Sequence, residues 1–104
     1  MVMYIFVESP LFSRLVNDYL SDVEYSHLQW FLMKDPGVGD IIRGSGGVRK
    51  LRWSAKGKGK RGGLRIIYYW HEKLHEIWLL TLYAKNEAED IPVGLLKKIR
   101  EQFE

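Results

Sequence analysis

The chain has no cysteine. This excludes disulfides, thiolate metal ligands and a cysteine nucleophile together, and it fits a cytoplasmic protein. Histidine is sparse, at His27, His71 and His75, with no spacing that suggests a metal site. No metal and no cofactor are therefore expected. No apolar run approaches the ~18 residues that suggest a membrane span. The opening MVMYIFVESP has neither a basic lead nor a small-residue cleavage site, so no signal peptide is expected. Repeats and low-complexity tracts are absent as well.

A further lack is local. From Ile41 to His71 there is no Asp or Glu. The same segment holds nine cations: Arg43, Arg49, Lys50, Arg52, Lys56, Lys58, Lys60, Arg61 and Arg65. The whole chain carries +3, so everything outside the segment sums to −6. A field concentrated in one stretch draws polyanions to it and orients them. Seven of the ten glycines lie there too, which allows close approach of backbone to a ligand. The remainder reads as scaffold. At 104 residues it is one domain, long enough for a single core.

Tyr4 to Val7 predicts a strand, ended by Ser9-Pro10, where Ser9 caps a helix to about Leu20. Ser21 to Glu24 is a capping box that opens a second helix with Leu28, Phe31 and Leu32 as its stripe. Asp35-Pro36-Gly37 stops it, and residues up to Gly47 read as loop. Val48 to Trp53 alternates, with Lys50 and Arg52 on one face and Leu51 and Trp53 on the other. A basic glycine-rich connection follows, then a strand from Leu64 to Trp70 with Arg65, Ile67 and Tyr69 on one side. Glu72-Lys73-Leu74 is a hairpin tip, and Glu76 to Ala84 is a strand apolar on both faces. Asp90 caps a last helix with Pro92 early in it and Leu95, Leu96, Ile99 and Phe103 buried; Glu87 and Glu89 support its start. The fold class is thus α+β, in the order β-α-α-β-β-β-α, an antiparallel sheet with helices on one face. Tyr68, Trp70, Trp53 and Trp78 read as core, Tyr69 stays open, and His71 and His75 read as solvated.

The motifs VRKLRW, GGLRIIYYW and IWLLTLYAKNEAEDI, in that order, resemble the RelE superfamily of bacterial toxins. The branch they most resemble is the HigB-like toxins of type II toxin–antitoxin systems, and the resemblance runs over nearly the whole chain. It implies a single RelE/HigB-like toxin domain over residues 1–104 and a ribosome-dependent mRNA interferase. Such an enzyme enters the A site of the 70S ribosome and cuts mRNA without a metal, the ribose 2′-OH attacking the adjacent phosphate. It also implies a DNA-binding, HigA-like antitoxin as partner, with mRNA and rRNA as the nucleic acids touched. By position in these motifs, Arg65 matches the arginine that contacts the scissile phosphate. Lys50 and Arg52 match basic residues near the cut, Lys85 a catalytic residue at the end of the last strand, and Tyr83 lies two residues before it.

The chemistry needs a base for the 2′-proton, a cation for the phosphorane charge and an acid for the leaving oxygen. Arg65 suits the second role, because guanidinium is always charged and can grip phosphate with two donors. Lysine acts as base only where neighbouring cations disfavour its own charge. Lys56, Lys58 and Lys85 are the catalytic candidates on this ground. Arg49, Lys50, Arg52, Lys60, Arg61 and Tyr83 are the RNA-binding candidates, supplying affinity through phosphate rather than base readout. Two other functions remain open: a ParE-like toxin that blocks gyrase, and a plain RNA-binding module without chemistry.

Overall fold

The computed structural model describes residues 3–54, 63–87 and 91–103. Five strands form one sheet: β1 (Ile5–Glu8), β2 (Asp40–Ile41), β3 (Val48–Trp53), β4 (Leu64–His71) and β5 (Glu76–Ala84), in the order β1-β5-β4-β3-β2. Three helices accompany them: α1 (Pro10–Tyr19), α2 (Asp22–Lys34) and α3 (Val93–Glu101). The α+β class and the succession of the expected elements hold. Within the expected loop, β2 is an added two-residue strand antiparallel to β3. The sheet is mixed, not wholly antiparallel, because β1 pairs parallel to β5 across the α1–α2 crossover.

Ser9 explains how α1 is set. Its hydroxyl oxygen accepts from Phe12 N at 2.9 Å, capping the helix, and its O–H donates to Leu80 O at 2.6 Å. One buried side chain thus ties the helix start to β5. Leu80 is the extra residue of a bulge: Ile67 sits opposite Thr81 and Tyr68 opposite Leu79. The Ser21–Glu24 capping box forms in full at the start of α2.

Strand alternation divides the interior in two. Leu51, Leu64, Ile66, Tyr68, Ile77, Leu79 and Leu82 pack under α1 and α2 with Phe12, Val16, Leu28 and Leu32. Val48, Ile67, Trp78 and Leu80 pack on the opposite face under Leu96 and Ile99 of α3. The helices therefore cover both faces. A sheet whose central strands are apolar on both sides needs cover on both. The start of α3 also differs from expectation. Pro92 is its N-cap and makes no side-chain cap bond, while Asp90 and Glu89 lie outside the described residues. Leu95 is 48% exposed; the buried stripe is Leu96 and Ile99, with Phe103 stacked on Trp78 at 4.8 Å. Among the described residues, no helix is long and apolar enough to cross a membrane.

Candidate functional site

The face that carries α3 also carries Lys50, Arg52 and Arg65. Arg52 of β3 stands opposite Arg65 of β4, and Arg65 stands opposite Tyr83 of β5. Directly opposed residues have Cβ atoms ~5 Å apart, so these three side chains form a row across the sheet. In the next row Lys50, Ile67 and Thr81 are opposed. Strand register alone produces this gathering, since Lys50 and Arg52 are two residues apart and share a face. Opposing two arginines is locally unfavourable, and an anion bound on the row would offset the repulsion.

The depth of these groups is uneven. Arg65 is 8% exposed and Tyr83 7%, whereas Arg52 is exposed. The Arg65 guanidinium donates from Nη1 to Leu64 O at 3.2 Å. Arg65 is therefore recessed in the sheet. Gly63, at φ 57°, makes the entry to β4 possible: a Cβ there would lie 2.7 Å from Trp53 O. Beside the row, Lys50, Ile67 and Tyr83 form one wall of a cleft of about 330 Å³. Ile42 and Arg43 from the loop and Ile91, Val93 and Leu96 at the start of α3 form the other. Lys85 is exposed in the turn after β5, and its N–H donates to Gly63 O at 3.2 Å, beside the start of β4.

No protein-family model matches the chain. Two solved structures do match in fold. One is a double arginine-to-alanine mutant of the Escherichia coli toxin RelE in the free state, with a TM-score of 0.60 and 12% identity over 95% of this chain and 98% of that one. The other is the intact Escherichia coli RelBE toxin–antitoxin complex, with a TM-score of 0.61 and 13% identity over 85% of this chain and all of the matched one. The fold is RelE-like.

Within this RelE-like frame, the expected residues separate into three groups. Lys50, Arg52, Arg65 and Tyr83 come together on one face, with Lys85 in the turn next to it. Lys56, Lys58, Lys60 and Arg61 lie outside the described residues. Arg49 stands apart from these groups. It alternates onto the α1–α2 side, where Nη1 donates to Gly37 O at 2.9 Å and Gly39 O at 2.8 Å. Its guanidinium also lies 5.9 Å from the Trp70 ring centroid. It pins the loop before β2 and is not part of the cationic row.

Other placements differ too. Glu87 does not support α3: one carboxylate oxygen accepts from Ala84 N at 3.0 Å and from the Tyr19 hydroxyl. Those bonds hold its pKa below the usual carboxylate range, the Tyr19 bond first. His71 is half-buried against Tyr69 and Trp78, and its Nδ1 accepts from Leu74 N at 3.3 Å, so it is not solvated. Trp53 is half-buried against Phe31 at 5.1 Å, short of the core position expected. Tyr69 lies under the Arg100 guanidinium at 4.7 Å. Sequence reasoning missed Arg43 and the α3 start as walls of the cleft. Arg43 was visible as a member of the basic segment, but only the turn of residues 42–48, closed by Ser45, brings it to the sheet face.

Proposed function

We propose that this protein is the toxin of a type II toxin–antitoxin pair, of the HigB-like branch, and acts as a ribosome-dependent mRNA endonuclease in the cytoplasm. The observation that carries the reading is the row Arg52–Arg65–Tyr83 with Lys50 beside it. In this reading Arg65 is the fixed cation that meets the phosphorane charge. Its hydrogen bond to Leu64 O supports the role, because a held guanidinium needs no reorganisation when charge develops. Arg52 and Lys50 bring the phosphate down onto it, and Lys85 moves the proton between 2′-OH and leaving oxygen, with Lys56 and Lys58 as further candidates. The bond from phosphorus to the 5′-oxygen breaks as the bond to the 2′-oxygen forms, so no metal or cofactor enters the balance. Lys60 and Arg61 add contacts to mRNA and rRNA phosphate. A HigA-like, DNA-binding antitoxin is the partner that silences the site, a reading supported by likeness to a chain from a toxin–antitoxin complex.

The test is mapping of mRNA 5′ ends in a translating extract. Wild-type protein is expected to create new ends at ribosomal A sites, and Arg65→Ala to lower the rate by about 10²–10³-fold, as removal of a preorganised donor does. A loss under tenfold removes Arg65 from the chemistry. One observation favours a second reading: Arg65 and Tyr83 are both nearly buried. A ParE-like toxin that blocks gyrase needs no reachable catalytic arginine. Growth arrest with intact mRNA and inhibited supercoiling would select that reading instead.

A further inference from the structure

Helix α2 carries two apolar stripes. Leu28 and Leu32 face the core. His27, Trp30, Phe31 and Lys34 recur at i, i+3, i+4 and i+7 on another side, and with Trp53 they line a groove of about 320 Å³. Trp30 is 53% exposed and Phe31 40%. The Phe31 and Trp53 rings are 5.1 Å apart at 58°. Among the described residues, the charged or titratable lining is Lys34 and His27, with no carboxylate. Large aromatic faces left together in water point to a ligand that covers them.

The position of Trp53 says which ligand. It is the last residue of β3 and the neighbour of Arg52, alternating to the opposite face. The aromatic groove and the arginine row are therefore the two sides of one strand end. We infer that the groove stacks unpaired RNA bases adjacent to the phosphate held on the Arg52–Arg65 row. This extends the RNA-cleaving reading and rests on it for the path of the strand. Aromatic rings bordered by the Lys34 ammonium suit single-stranded nucleic acid, whose bases stack on the rings while its phosphates meet the cation. The stripe from His27 to Lys34 spans about 10 Å of helix, close to three stacked bases at ~3.4 Å each. An acidic amphipathic helix would meet the same Lys34, but it needs a groove walled along its length by two elements, and among the described residues Trp53 alone lines the side opposite α2.

The experiment uses the full chain and two fluorescently labelled probes, the ribohexanucleotide of adenosine and an abasic ribose-phosphate oligomer of equal length. The double variant Trp30→Ala/Phe31→Ala changes exposed side chains, and circular dichroism checks its fold. It is expected to bind the adenosine probe about tenfold more weakly, or ~1.4 kcal/mol, and the abasic probe as wild type does. Equal loss for both probes, or no loss for either, overturns the inference. So does binding of a glutamate-rich amphipathic peptide that depends on Trp30 and Phe31 while RNA affinity does not. The Arg65→Ala cleavage assay keeps the two proposals separate. If Arg65→Ala abolishes cleavage while the double variant binds RNA normally, the stacking site alone falls.

Discussion

Tyr68 shows how much a single polar atom can organise. Its hydroxyl sits in the core, donates to Pro36 O at 2.7 Å and accepts from Gly39 N at 2.9 Å. Burial pushes its pKa up, and the Gly39 bond opposes this in part. Tyr68→Phe would leave two buried backbone groups unpaired and is expected to cost about 1–3 kcal/mol for each, read from urea unfolding. Gly39 has no room for a side chain, since a Cβ would lie 2.9 Å from the Tyr68 ring and hydroxyl. Gly39→Ala should therefore destabilise through the same contact. Arg52 presents the opposite case. Replacing it with Thr removes a cation from opposite Arg65, so Arg52→Thr is expected to raise stability by about 0.2–1 kcal/mol while lowering RNA cleavage. A variant both less stable and fully active would show that the row is not strained and not functional.

At the level of elements, the join between α1 and the turn after β5 depends on ionisation. The Tyr19 pKa is pushed up to about 12, first by its hydrogen bond to Glu87 and then by burial. Tyr25, in α2, is raised further, by burial and by its hydroxyl donating to Glu8 Oε2 at 2.6 Å. A phenol with a raised folded pKa contributes stability that is complete below its unfolded value near ~10 and lost as pH climbs through the folded value. Stability is therefore expected to fall steeply above pH ~10. Tyr25→Phe should flatten that fall, measured as denaturation midpoints across alkaline pH. For Glu87 the sign reverses. Its lowered pKa contributes stability above the unfolded carboxylate value near ~4.3, lost as pH falls through the folded one. Glu87→Gln should reduce the acid-side dependence.

For the whole molecule, charge segregation is the property that matters most. Nine cations without an acid in one segment, against a net −6 elsewhere, segregate charge along the chain, and Lys50, Arg52 and Arg65 of that segment share one face of the sheet. RNA affinity should fall with salt, at a log–log slope of ~0.7 per phosphate neutralised. Removing Arg52 and Lys50 together should reduce that slope by about 1.4, as an affinity titration in increasing salt would read. An unchanged slope would place the RNA elsewhere. The second core layer is equally a property of the whole, because Leu96 and Ile99 of α3 close the second face of the sheet, with Leu11 of α1 packed against the same cluster.

Much of this was legible in the chain. Ser9-Pro10, the Ser21–Glu24 box and the alternation of VRKLRW and LRIIYYW are local signals, and the two caps are satisfied by neighbours three residues away. Period-two alternation alone assigned Lys50, Arg52 and Arg65 to their faces, because a strand leaves no other choice. What the chain could not state was depth and partnership. The burial of Arg65, the use of Arg49 on two loop carbonyls, the exposure of Leu95 and the side of the sheet taken by α3 all depend on contacts between residues distant in sequence. The aromatic stripe of α2 was written at helical spacing, yet only packing decided that Leu28 and Leu32 turn inward and leave Trp30 and Phe31 in water. Local pattern determines which residues share a face; which face is covered is settled by the competition of all the elements for one interior.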